Sequence, residues 1–174
     1  MKSLATLMAL VLAAGLASAE TLTVAELSLP LDEERAAAMD PEGAAPLDDP
    51  LSCLARTVYW EAKGEPRQGQ IAVAHVVRNR VESDDHPDTY CEVVKQGAKG
   101  RCQFSWWCDG KDDAAREAEP FEEAREVARL VLNGEAEDPT AGSTFFHARR
   151  VQPAWTREAK RIGTIGRHVF YVMN

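Results

Sequence analysis

Apolar side chains recur at helical spacing from Leu51 onward, with Leu51, Leu54, Ala55, Val58 and Ala62 on one face. Asp49 and Pro50 suit an N-cap and first helical position, and Gly64 is placed to end the helix. After Pro66, the segment Gln68 to Val81 is apolar on nearly every side, through Ile71, Ala72, Val73, Ala74, Val76 and Val77. Its β-branched residues would also suit a strand, but its length and polar flanks favour a helix at the centre of a core. A short helix carrying Val93 and Val94 is expected after Pro87 and Asp88, followed by a loop-rich stretch from Gly97 to Lys111. Phe121 to Leu132 reads as an amphipathic helix ended by Asn133-Gly134. Two strand-like runs close the chain, Ser143 to Ala148 and His168 to Met173, expected as an antiparallel pair with a long connection. Helices first and a small sheet afterwards predict an α+β domain over residues 51–174.

The pattern differs before Leu51. Lys2 precedes an apolar run from Leu4 to Leu16, and Ala17-Ser18-Ala19 supplies small residues for cleavage before Glu20. That layout predicts a signal peptide over 1–19. The run falls short of the roughly 20 apolar residues a membrane span needs, so an exported protein without stable membrane insertion is expected. Residues 20–50 hold Pro30, Pro41, Pro46 and Pro50 among many carboxylates. They read as an acidic, disordered linker or pro-segment in which a helical piece around Leu31 to Met39 is the one regular element allowed.

Charge sharpens this division. The chain carries 20 basic and 28 acidic residues, a net of −8. Residues 20–50 alone hold 9 acidic and 1 basic, whereas 51–174 hold 18 basic against 19 acidic. The domain is nearly neutral, without the basic footprint of a nucleic-acid binder. Cys53, Cys91, Cys102 and Cys108 all follow the signal segment, and an even count in an oxidising compartment favours two disulfides. Four cysteines allow three pairings, and the sequence does not choose among them. Zinc is the competing reading, but no CxxC pair is present.

Glu61 is the leading candidate for chemistry. It ends an apolar helix between Trp60 and Ala62, where partial desolvation would raise a carboxyl pKa. Such an acid keeps a proton to give to a glycosidic oxygen near neutral pH. An ordinary exposed helix-terminal glutamate is the alternative. Glu65, just past Gly64, is the rival acid or a structural carboxylate.

The string Tyr59-Trp60-Glu61-Ala62-Lys63-Gly64-Glu65-Pro66, then Gly69-Gln70-Ile71-Ala72-Val73-Ala74 and Val77-Arg78-Asn79-Arg80-Val81, resembles the SleB-type cell-wall hydrolases. The likeness continues through Cys102-Gln103-Phe104-Ser105-Trp106 with Asp109-Gly110, and through Asp138-Pro139-Thr140-Ala141-Gly142. It ends in Phe146-His147, Pro153-Ala154-Trp155 and Ile165-Gly166-Arg167-His168-Val169-Phe170-Tyr171. Two positions depart from the family pattern: Lys63 stands where arginine is usual, and Arg167 where asparagine is common.

The resemblance implies a lysozyme-like fold and cleavage of peptidoglycan glycan strands between N-acetylmuramic acid and N-acetylglucosamine. It also implies a single glutamate matching Glu61, working as in lytic transglycosylases, in the periplasm or cell envelope. Gln103, Phe104, Ser105, Phe146, His147 and His168 are then the expected substrate contacts. Phe146 and His147 alternate along a strand, so at most one easily faces a cleft. Trp155 is expected as a core lid and Asp109 as a turn residue. No cofactor or metal is expected: His75, His86, His147 and His168 form no HExxH-type spacing. A metal-dependent N-acetylmuramoyl-L-alanine amidase and a non-catalytic peptidoglycan-binding module are the rival functions.

Overall fold

The computed structural model describes residues 30–98 and 101–173. The expected signal peptide and residues 20–29 of the expected linker lie outside them. Five α-helices occur among the described residues: α1 (Glu33–Met39), α2 (Pro50–Ala62), α3 (Arg67–Val81), α4 (Tyr90–Lys95) and α5 (Ala118–Leu132). They are combined with a two-stranded ribbon, β1 (Gly97–Ala98) and β2 (Arg101–Cys102), and a sheet of β3 (Phe145–Ala148), β4 (Ala159–Ile165) and β5 (His168–Met173). The expected α+β class is borne out. None of the described helices is long and apolar enough to cross a membrane.

Local chemistry explains the helix boundaries. Asp49 Oδ1 accepts from the Ser52 backbone N–H at 2.9 Å, and Pro50 follows at the first helical position. Gly64 takes φ +75°, a left-handed conformation that ends the run after α2. Thr89 caps α4 by accepting from the Glu92 N–H at 3.2 Å.

The core has two parts that share α3. Leu51, Leu54 and Val58 of α2 meet Phe121, Ala124, Val127, Ala128 and Val131 of α5, and α3 adds Ile71, Ala74 and Val77. On another face of α3, Ala72 and Val76 pack against Phe170 of β5. The helix is buried on both sides because helices cover one and the sheet covers the other, as its all-round apolarity predicted. The Cys53–Cys91 disulfide pins α2 to α4, and Cys102–Cys108 closes the loop after β2.

The sheet runs β3-β5-β4, antiparallel throughout. β3 and β5 pair directly, with Ala148 opposite His168 and Phe146 opposite Phe170. The connection expected to be long contains β4, an edge strand whose register shifts between Arg161 and Gly163.

Residues 30–49 correct the expectation of disorder. Ala36 and Leu47 are buried in the helical core, and Asp40 is 1% exposed. Its carboxylate meets Arg56 at 3.2 Å and accepts from the Ala44 and Ala45 N–H groups at 2.8 and 2.9 Å. Arg125 Nη1 donates to the Asp40 carbonyl at 3.0 Å, and Arg129 Nη1 to the Leu31 carbonyl at 3.0 Å. The segment lacks apolar residues enough to fold alone; arginines of the domain hold its backbone.

Candidate active site

Glu61 continues the buried stripe of α2, seven residues after Leu54 and three after Val58. The helix therefore delivers a carboxyl to the place where an apolar side chain would ordinarily close the core. Burial drives its pKa from 4.5 to about 7, with the positive charge of Arg80 pulling the other way. Among the described residues its carboxyl has no hydrogen-bond or ion-pair partner. The Trp60 indole, expected to desolvate the acid, packs into the helical core and donates from Nε1 to the Asp113 carbonyl at 3.0 Å.

Arg80 closes the corresponding stripe of α3, after Val73, Val76 and Val77. Its Nε donates to the Thr144 carbonyl at 2.7 Å, and its guanidinium lies 5.3 Å from the ring centres of both Phe104 and Phe145. Burial lowers its pKa to about 10, which Glu61 opposes, so the group stays charged at neutral pH. Its Nη1 is buried without a partner among the described residues.

Glu61 lines a cleft of about 660 Å³ with Glu65, Ala148, Arg149, Arg150, Arg167 and His168. One wall is the turn joining α2 to α3; the other is the end of β3 beside the start of β5. Glu65 stands in this cleft in the opposite condition. Its Oε2 accepts from the Arg167 backbone N–H at 2.9 Å, and its Oε1 from Arg167 Nε. Burial would raise its pKa, but the hydrogen bonds and charge of Arg167 outweigh it and hold the carboxyl below 4.5. Gly166 makes this approach feasible: at φ +56°, a Cβ there would collide with Glu65 Oε2.

His168 also lines the cleft, 7% exposed, with its Nδ1 unpartnered among the described residues. Burial lowers its pKa below 6.5, so the ring is neutral at pH 7. An unsatisfied ring nitrogen in a cleft is a group that a bound ligand could complete.

The other expected contacts lie elsewhere. Phe104 is 1% exposed within the helical core. Gln103 and Ser105 are exposed on the loop after β2 and are not among the cleft-lining residues. Phe146 packs between the two apolar clusters, stacked on Phe170 with ring centres 5.9 Å apart. It is Ala148, on the same sheet face, that reaches the cleft. His147 projects from the opposite face, where Nε2 meets the Tyr171 hydroxyl at 3.1 Å and Trp155 packs edge-on. Asp109 forms a turn by accepting from the Lys111 N–H at 2.9 Å, and His75 is buried with Nε2 3.0 Å from the Ala136 carbonyl oxygen. Among the described residues no three His, Cys, Asp or Glu side chains gather as a metal site.

Comparison with known proteins supplies the lineage. The Cell Wall Hydrolase family profile matches residues 64–171. The chain belongs to the cell wall hydrolase family. The match begins three residues after Glu61, so the placement of that side chain rests on the geometry above. This cell wall hydrolase domain is 34% identical over 124 residues to the spore cortex-lytic enzyme of Halalkalibacterium halodurans, covering 71% of this chain and 34% of that protein. It is 33% identical over 131 residues to the corresponding enzyme of Oceanobacillus iheyensis, covering 75% and 43%. The chain thus spans less than half the length of these relatives. Among solved structures, the catalytic domain of the germination-specific lytic transglycosylase SleB from Bacillus anthracis superimposes with TM-score 0.57 at 26% identity, covering 74% of this chain and 100% of that one. The catalytic domain of the Bacillus cereus SleB protein gives TM-score 0.55 at 29% identity, covering 70% and 88%. The fold is therefore the lysozyme-like α+β arrangement of those catalytic domains.

Proposed function

We propose that this protein is an exported enzyme of the cell envelope that cuts the glycan strand of peptidoglycan by lytic transglycosylation, with Glu61 as its acid and base. Glu61 gives its proton to the oxygen bridging N-acetylmuramic acid and N-acetylglucosamine as the bond from that oxygen to the muramoyl C1 breaks. The C6 hydroxyl oxygen of the same sugar then bonds to C1, and its proton returns to the Glu61 carboxylate. The product is a 1,6-anhydromuramoyl end, and the carboxyl is restored. Covalent geometry holds the C6 hydroxyl near C1, which replaces a positioned water.

The observation that carries this reading is one carboxyl without a partner among the described residues, with a pKa of about 7, inside a cleft. At neutral pH about half such groups hold a proton. The paired-acid scheme needs a second carboxylate free to attack or to activate water. Glu65 fits that part poorly, since Arg167 occupies both of its oxygens. The names of the relatives, cortex-lytic enzyme and lytic transglycosylase, agree with this chemistry.

Mass analysis of the soluble products from purified sacculi tests the proposal. Anhydro ends, 18 Da lighter than hydrolysed ends, are the expected result. Hydrated reducing ends would replace transglycosylation with hydrolysis, and free peptides would replace it with amidase activity. Unchanged release in the presence of a chelator is expected.

A further inference from the structure

The cleft has three arginines on its rim, and the single-acid mechanism uses none of them. Residues 149–167 contain six lysines and arginines and one acidic residue, in a chain whose net charge is −8. Arg149, Arg150 and Arg167 of this stretch line the cleft with Glu61. The fold holds two of them on neighbouring strand ends, because the Arg149 N–H donates to the Arg167 carbonyl at 2.8 Å.

Their available bonding capacity differs from that of the other arginines. Arg56, Arg125 and Arg129 are buried and engaged with carboxylates or carbonyls. Arg149 and Arg150 are exposed, and their side chains have no hydrogen-bond or ion-pair partner among the described residues. Arg167 uses Nε on Glu65, while its side chain remains 70% exposed. With Glu65 ionised and Glu61 protonated, three guanidinium groups face one carboxylate. A bare acetylated glycan carries no charge that would answer this excess. A guanidinium matches a carboxylate in both charge and shape, with two parallel N–H donors.

We infer that Arg149, Arg150 and Arg167 form a subsite for a carboxylate carried on the lactyl ether of the muramic acid. This rests on the glycan-strand reading above and adds the feature that selects among strands. The carboxylate has two sources: the lactyl group itself, where the peptide has been removed, or the acidic residues of an attached peptide. Binding then weakens when these carboxylates are neutralised, and weakens with salt because the rim is solvent-exposed.

Binding by full-length Glu61→Gln protein, measured by co-sedimentation at low and high salt, separates recognition from cleavage. The probes are intact sacculi, peptide-stripped glycan strands, and both after coupling of their carboxylates to a neutral amine. Coupling should weaken binding about tenfold at low salt. Adding Arg149→Gln and Arg150→Gln should cause a similar loss on uncoupled strands and little further loss on coupled ones. Arg157→Gln with Lys160→Gln, exposed positions outside the cleft, should leave affinity unchanged. Tighter binding of stripped strands assigns the subsite to the lactyl carboxylate, which is free only there; tighter binding of intact strands assigns it to the peptide, and equal, coupling-sensitive binding means that either carboxylate fills it. The inference is overturned if coupling has no effect, if the cleft double variant binds normally, if the outer pair matters equally, or if no strand is bound. The wild-type product masses are read separately. Peptide release by a protein that still shows arginine-dependent binding would overturn the proposed function and leave this subsite standing.

Discussion

The end of α2 and the turn that follows it carry the same side chain in opposite states. Glu61 has no partner among the described residues, and burial lifts its pKa to about 7. Glu65, four residues later and lining the same cleft, is held below 4.5 by Arg167. Sequence distance does not explain the contrast: burial raises the pKa of both carboxyls, and only at Glu65 is it outweighed. What differs is the supply of donors. The left-handed turn at Gly166 brings a backbone N–H and a guanidinium to Glu65. Glu61 receives only the longer-range field of Arg80. One glutamate is therefore suited to exchange a proton, and the other to tie the sheet to the helices.

The largest effect that would break this comparison is chemical. Glu61→Gln should lower kcat/KM for strand cleavage by about 10²–10⁴-fold, the usual contribution of a positioned acid–base group. Its melting temperature at pH 8 should equal or exceed that of the parent, since the ionised carboxylate gains no partner in the fold. A variant that still cleaves at the parental rate would end the case for Glu61.

The complementary change at Glu65 should act mainly on stability. Glu65→Gln turns an N–H donor or a weaker oxygen toward Arg167 where a carboxylate had accepted twice. Loss of charge-assisted hydrogen bonds of this kind costs about 2 kcal/mol, readable as a lower denaturant midpoint. Activity should fall less than in Glu61→Gln, because the cleft loosens while the proton donor stays. If the two variants lost activity equally without a stability difference, the division of roles would be wrong.

Titration separates the pair further, and the signs are opposite. A carboxyl with a raised folded-state pKa binds more protons folded than unfolded, so the contribution of Glu61 to stability declines as pH rises from 4.5 to about 7. The contribution of Glu65 is present above 4.5 and is lost as pH falls through its lowered value. Stability against pH, compared between the parent and each glutamine variant, should show the first slope missing in Glu61→Gln and the second missing in Glu65→Gln. The kcat/KM of the parent should fall above pH 7 as the donor ionises.

How much of this was legible in the sequence follows from where each constraint resides. The boundaries of α2 were readable because Asp49, Pro50 and Gly64 act on their own neighbours, and α3 because its apolarity is a property of its own residues. β4 was missed because Ala159–Ile165 is largely polar and derives its conformation from hydrogen bonds to β5. Residues 30–49 were misread for a similar reason, since their order comes from Arg56, Arg125 and Arg129 far along the chain. In the site, Glu61 was recognisable as a carboxyl at the end of an apolar stripe. Phe104 and Phe146, expected at the substrate, pack into or against the apolar clusters; an aromatic residue in a loop or strand looks the same in either role. The arginine rim is assembled by the pairing of Ala148 with His168, which no local pattern expresses.

Arg80 offers the finest adjustment of the contrast. Its charge lowers the Glu61 pKa against the effect of burial. Arg80→Met removes that charge while retaining an unbranched side chain between Phe104 and Phe145. The pKa of Glu61 should rise, and the falling limb of kcat/KM should move to higher pH. The Glu65 titration should stay in place, because Arg167 dominates it. At acidic pH, where Glu61 is protonated in both proteins, their rates should approach one another. A limb that stays put, or moves down, would mean that Arg80 does not act on the acid through its field. A uniform loss at every pH would assign Arg80 to cleft architecture alone, and the contrast between the glutamates would then rest on burial and Arg167.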